Sequence, residues 1–304
     1  MSSSLVHDIY LPFTEQQVAE RFARVTGKPR DAQTYVRYYL ESARRYKDWQ
    51  AVPRQRGTRL DVQVEKDERF WTVTALMSLF HGGAWATDLA ALLRSAFPGG
   101  ACPFEGLDAW EDAFGEDTEL YFEVNLPSPA LYRQHLRGQL ADRVLTPTAL
   151  ATARATSKLE GSTKVDAVVV SPSTGAAVAF EAKVLSDIST AVTFDAMRNQ
   201  LARLIDVTLD ETPRLAEESL TKRHPERTCV VLLTPALFKT HRSARLYGHL
   251  HDAYRDTQGA LAEHLPHRGA DEVAAASQRI GWATWEDVED VRPGALPWVS
   301  RPTA

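Results

Sequence analysis

The chain reads as an α/β protein with a mainly helical N-terminal part. Three observations carry that reading. A β-branched segment, Lys164-Val165-Asp166-Ala167-Val168-Val169-Val170, is joined by the turn cluster Ser171-Pro172-Ser173-Thr174-Gly175 to the apolar segment Ala176-Ala177-Val178-Ala179-Phe180-Glu181-Ala182-Lys183. Residues 228–234, TCVVLLT, form a continuous apolar run of strand length, the pattern of a buried strand. Between these strands, Phe194, Met197, Leu201, Leu204 and Ile205 recur at helical spacing over residues 190–209.

Composition bounds the rest. With 304 residues and 44% hydrophobic content, the chain can build one large core or two smaller ones. A net charge of −5 argues against a protein that coats DNA without specificity, because such binding is driven by phosphate neutralisation. It leaves room for an acidic site whose bound cation inverts the local sign. No apolar run is long enough to span a bilayer, so no membrane partner is expected. The N-terminus lacks the basic-then-apolar pattern of a signal peptide, and a cytoplasmic location is expected. Cys102 and Cys229 are far apart, form no C-x-x-C, and read as packing residues.

In chain order, residues 13–28 suit a helix, with Thr14 as N-cap and Gly27 where a C-cap would stand. Residues 32–48 suit a second, in which Tyr35, Tyr38, Tyr39 and Tyr46 alternate with Arg37, Arg44, Arg45 and Lys47. An amphipathic surface explains this pattern, and a nucleic-acid face is the sharper alternative. Residues 59–65 alternate like a strand. Residues 69–80 read as a buried helix, and after HGGAW helix resumes near Thr87 or Asp88. From Glu105 to Glu123 stand eight acidic residues and no basic one, which suggests a solvated face or a docking surface for a basic partner. Residues 120–126 suit a strand. Pro127-Ser128-Pro129 then marks the expected boundary between an N-terminal module, 1–127, and a second domain, 128–304. Residues 130–143 are a basic helix carrying Arg133, Arg137 and Arg143, continued over 148–155. Asp195, Asn199 and Arg203 form a polar stripe on the helix over 190–209, flanked by Arg198 and Gln200. Residues 241–256 suit a helix and 279–285 a last strand, followed by Glu286-Asp287-Val288 and an extended Pro-rich tail. His249 and His251 are two apart on a helix, share no face and have no cysteine pair, which speaks against zinc.

The chemistry concentrates at the two adjoining strands. Glu181 and Lys183 are two apart and point to one face, and the pairing strand brings Asp166 near them. Two carboxylates at short range repel, and burial raises the cost. A plain Lys183 ion pair is the simple account. A divalent cation resolves the conflict more fully, and Mg²⁺ takes one or two carboxylates together with water and substrate phosphate. No phosphate-cradling G-x-x-x-x-G-K-[ST] or G-x-G-x-x-G occurs, nor a G-x-S-x-G nucleophile elbow.

Asp166, Glu181-Ala182-Lys183 and the polar helix bearing Arg198-Asn199-Gln200, in this order of elements, resemble the PD-(D/E)XK nuclease superfamily over about residues 128–290. Val165 stands where the proline of the family's name would be. The resemblance implies a restriction-endonuclease-like fold, a mixed central sheet flanked by helices, and Mg²⁺- or Mn²⁺-dependent hydrolysis of DNA, with RNA open as the polymer. It implies Asp166, Glu181 and the Ala182 carbonyl as metal ligands, and Lys183 as the residue that positions or activates the attacking water. It implies Glu160 as an acidic residue near the metal, and Arg198, Asn199, Gln200 and Arg203 as phosphate contacts or supports of the carboxylates. A role in restriction or defence against foreign DNA also follows from the resemblance. A homodimer or protein partner stays open. The alternative is a nuclease fold without catalysis, serving as a binding or assembly module.

Overall fold

The computed structural model describes residues 5–7, 11–24, 67–142, 160–190, 198–256, 259–296 and 298–299. A small antiparallel pair, β1 (Leu5–His7) and β2 (Leu11–Thr14), precedes the main sheet. Five apolar segments make that sheet. β3 (Glu119–Leu126), β4 (Thr163–Val170) and β5 (Ala177–Ala182) pair antiparallel in turn. β6 (Thr228–Thr234) and β7 (Ile280–Thr284) extend it parallel to β5, in the order β3-β4-β5-β6-β7. The turn between β4 and β5 needs Gly175, whose φ is 72°. A Cβ built there would fall 1.8 Å from the His224 ring. The parallel pairs require crossovers, and helices supply them. The architecture is therefore α/β with a mixed sheet flanked by helices. No helix of the described residues is long and apolar enough to cross a membrane.

Each sheet face carries its own core. On one, Phe70, Leu76 and Met77 of the Glu68–Phe80 helix and Leu89 and Leu93 of the Trp85–Ala96 helix bury against Phe122, Val169, Val178 and Val231. On the other, Leu201, Leu204 and Ile205 of the Gln200–Thr208 helix and Tyr247 and Tyr254 of the Leu246–Arg255 helix bury against Val168, Ala179, Val230 and Leu232. The boundary expected at residues 127/128 thus falls inside one core. β3 is an edge of the main sheet, and the apolar 68–80 helix finds its cover on that sheet. An apolar helix is stable only where another element takes its buried face.

Several element ends differ from expectation, each for a local reason. Thr14 does cap the first helix, in a capping box with Gln17, but that helix is short, Glu15–Arg21. Phe22 turns extended and bridges Phe122, so pairing with β3 replaces further turns toward Gly27, which lies outside the described residues. The helix that resumes after HGGAW begins at Trp85 behind Ala84, and Asp88 stands in its first turn. Trp285-Glu286-Asp287 opens a helix, Trp285–Val291, because Thr284 and Asp287 close a capping box at the end of β7. Past that helix Ala295 and Leu296 are buried, and Trp298 stacks on Phe70. The acidic stretch is no uniform solvated face. Asp117 accepts from Ser171 and Ser173, Glu111 pairs with Arg94, and Glu123 is buried. The expected elements at 32–48, 59–65 and 148–155 lie outside the described residues, as do residues 191–197.

β3 carries one irregularity. Phe122 belongs to the first core and Val124, two residues on, to the second. In an unbroken strand they would share a face. Glu123 makes the switch with a φ of 56°. β4 switches with it, Val165 lying in the second core and Ala167 in the first. The register runs Phe122↔Ala167 and then Val124↔Val165, passing over Glu123 and Asp166.

Candidate active site

The β4–β5 ladder ends at Ala167↔Phe180, and the next residue on each strand is acidic: Asp166 on β4 and Glu181 on β5. There β4 stays with β3 while β5 continues beside β6, through Glu181↔Leu232 and Ala182↔Leu233. The two carboxylates therefore sit where the sheet parts. Backbone bonds hold the opening in shape. The Ala182 N–H donates to Asp166 Oδ2 at 2.9 Å, and the Lys183 N–H donates to the Leu233 carbonyl at 2.9 Å. The indole N–H of Trp285 donates to the Lys183 carbonyl at 3.0 Å.

The side chains converge there. Lys183 Nζ donates to Glu181 Oε1 at 2.7 Å, and Gln200 Nε2 donates to the same oxygen at 2.7 Å. Glu181 is 1% exposed and Lys183 5%, whereas Asp166 is only partly buried, so the cluster opens on the Asp166 side. Glu68, in the first turn of the 68–80 helix, adds a third carboxylate. Its Oε2 lies 3.8 Å from Lys183 Nζ, and its Oε1 accepts from the Val184 N–H and the Ser186 hydroxyl.

Electrostatics follow from this crowding. Burial raises the Asp166 carboxyl above the usual range, against the opposing pull of Lys183 and the Ala182 N–H. Burial, then the Asp166 charge, push Glu181 up to about 8. Burial works against the Lys183 ammonium, but Glu181, Glu68 and Asp166 outweigh it and hold the lysine protonated. The cluster is short of positive charge.

That shortage is the test of fit for a cation. Among the described residues, no group of three or more His, Cys, Asp or Glu side chains could hold a metal by itself. A pair of carboxylates suits Mg²⁺, which keeps waters and takes substrate oxygens, better than an ion that needs a full protein cage. The bonds to Ala182, Lys183 and Gln200 occupy Asp166 Oδ2 and Glu181 Oε1, leaving Oδ1 and Oε2 for a cation. Ala182 enters the site through its N–H.

The other expected site residues divide. Gln200 reaches the cluster. Asn199 is the N-cap of the Gln200–Thr208 helix; its side chain accepts from the Ala202 N–H and donates to the Tyr254 hydroxyl, so it supports rather than touches. The helix begins at Gln200, behind that cap. Glu160 does not join Asp166 and Glu181. It accepts from Ser128, from Arg198 at 2.6 Å and from Arg203 at 2.7 Å. Arg198 is 1% exposed, bonded to Glu160 and Asp206 and seated over the Tyr132 ring, so it is not placed to meet a phosphate. Two arginines compete for Glu160 more strongly than a carboxylate-rich site can. Its expected place beside the cluster is taken by Glu68. The signal for Glu68 was an acid directly after a cap residue, Asp67, at the head of a long apolar helix; only its fold onto the sheet gives that acid meaning.

No protein-family model, curated protein or solved structure matches this chain.

Proposed function

We propose that the protein is a Mg²⁺- or Mn²⁺-dependent nuclease that hydrolyses DNA phosphodiester bonds, with the restriction-endonuclease-like fold that the Asp166 and Glu181-Ala182-Lys183 pattern resembles. The observation that carries this reading is the convergence of Asp166, Glu181 and Lys183 where β4 parts from β5, with carboxylates in excess of cations. Asp166 and Glu181 would hold the metal. When bound, the metal polarises a phosphoryl oxygen and lowers the pKa of a coordinated water. Gln200 and Lys183 orient Glu181 through its Oε1. Because its neighbours keep Lys183 protonated, its role is to offset negative charge on the phosphoryl oxygens in the transition state and not to remove a proton as a base. Glu68 holds Lys183 and the backbone at Val184 in place.

The test is cleavage of plasmid, linear and single-stranded DNA, and of RNA, with Mg²⁺ or Mn²⁺. Wild type runs beside Asp166→Ala and Lys183→Ala. Metal-dependent cutting by wild type, lost in both variants while they stay folded, is the expected result. Full activity in Lys183→Ala would sink the mechanism. One observation favours a second reading, a binding module without catalysis: Glu181 and Lys183 are 1% and 5% exposed and already paired. On that reading neither Mg²⁺ nor Mn²⁺ raises the melting temperature of wild type.

A further inference from the structure

We propose that Arg133 and Arg137, on the outer side of the Ala130–Asp142 helix, contact backbone phosphates of a DNA duplex whose scissile phosphate lies at Asp166 and Glu181. The proposal rests on the nuclease reading and names the surface that holds the substrate outside the carboxylate cluster.

The chain carries a net charge of −5, and exposed arginines elsewhere meet carboxylates: Arg24 pairs with Glu217 and Arg94 with Glu111. Arg133 and Arg137 do not. Both are exposed, and among the described residues neither guanidinium has a hydrogen bond or an ion pair. The sequence supplies the reason. A helical carboxylate reaches an arginine from three or four residues away. Those places hold Pro129, Ala130, Gln134, Leu136, Leu140 and Ala141, none of them acidic. The two arginines are themselves four apart, so like charges stand side by side, an arrangement that costs a helix a little stability. A solvated helix surface gains nothing from it. A run of phosphates supplies a counterpart for each guanidinium.

Placement ties this helix to the site. β3 ends at Leu126, which pairs with Thr163, three residues before Asp166 on β4. The helix follows after Pro127-Ser128-Pro129, so it starts from the end of the sheet where the carboxylates lie. Ser128 donates to Glu160, and the Arg198 guanidinium sits 3.3 Å over the Tyr132 ring. Arg198 stands two residues before Gln200, whose side chain donates to Glu181 at 2.7 Å. Tyr132 and Leu136 are buried and fix the inner side of the helix. Arg133 and Arg137 therefore face outward from a helix anchored to the segment that holds Glu181. The cluster is rich in carboxylates and repels a polyanion until a cation binds. Affinity for the substrate then has to come from cations outside it, and the phosphates on either side of the scissile one meet no metal. Arginines with no carboxylate of their own are the residues that can take them.

The experiment measures binding of a fluorescein-labelled DNA duplex to the full chain in EDTA over a range of salt, with Mg²⁺ cleavage kinetics in parallel. The proteins are wild type, Arg133→Gln/Arg137→Gln, Arg133→Lys/Arg137→Lys and Asp166→Ala, each checked by its melting temperature. Loss of two phosphate contacts lowers the salt slope by about 2, so the glutamine variant's affinity changes about tenfold less than wild type's across a fourfold rise in salt. Its KM rises by a larger factor than its kcat falls. The lysine variant keeps both charges and with them the wild-type slope. A glutamine variant with wild-type slope and KM, in a protein whose cleavage depends on Asp166, overturns the proposal and leaves the nuclease reading standing. A wild type that neither binds nor cuts DNA overturns both. A wild type that binds DNA with the expected slope change but cuts nothing supports the surface and overturns the nuclease reading. Binding of RNA but not DNA with the same slope change overturns the choice of DNA.

Discussion

Two clusters of buried charge flank the same short stretch, residues 198–203, and they differ in balance. At Asp166, Glu181 and Glu68, three carboxylates gather around one ammonium, that of Lys183, and the charge of Arg69 also acts on Asp166. At Glu160 and Asp206, two carboxylates meet Arg198, Arg203, Arg268 and His267. Each holds a fully buried acid, Glu181 or Asp206, and the two respond in opposite directions. Burial and mutual repulsion raise Glu181. Burial also pushes Asp206 up, but the His267 hydrogen bond and the charges of Arg198 and Arg268 bring it below its usual value. Burial alone therefore does not mark a functional site. What separates the two clusters is charge left without a counterpart, which on the proposed reading a bound cation would meet.

The largest effect expected from breaking this contrast is at Arg198. Arg198→Ala leaves Glu160 and Asp206 short of their shared partner and should cost roughly 3–5 kcal/mol in urea unfolding. An unchanged midpoint would show that the satisfied cluster is not structural. At the other cluster, Asp166→Asn should do the reverse: in EDTA its melting temperature should rise, because one repelling carboxylate becomes a neutral acceptor for the Ala182 N–H. The same variant loses cleavage and any Mg²⁺-induced rise in melting temperature.

The pH dependence sharpens the comparison. Glu181 has a folded pKa of about 8 against an unfolded value of 4.5, so the unfolded chain releases its proton first as pH rises. In EDTA, wild type should lose stability between about pH 4.5 and 8, and Glu181→Gln should flatten that part of the curve. Asp206 has the opposite sign: held below 3.8, it stabilises the fold above that pH and the contribution is lost on acidification. The smallest expected change is at Asn199, which stands in sequence between Arg198 and Gln200 and belongs to neither cluster. Asn199→Ala removes a helix cap and should cost about 1 kcal/mol, read by thermal melting, with KM unchanged.

Much of the candidate cluster is legible from residues close in sequence. The turn 171–175 brings β4 onto β5, and a two-residue spacing links Glu181 to Lys183, so Asp166, Glu181 and Lys183 follow from local pattern. Gln200 is legible as a residue flanking a polar stripe. Arg198 and Asn199 are not separable from it, because helical spacing says which residues share a face but not what covers that face. The first helix and the last strand were misjudged at their ends, where Phe122 and a capping box decided the matter.

By itself the sequence determined the apolar strands, their turn and the acid–lysine set at their end, since those depend on alternation, turn chemistry and short spacing. Only the tertiary structure decided that Glu68 and Arg69 stand beside that set, that β3 belongs to the sheet, and that Glu160 pairs with arginines. These depend on contacts between residues far apart in the chain. A carboxylate's role is set by the total charge that folding gathers around it, and no local pattern contains that sum.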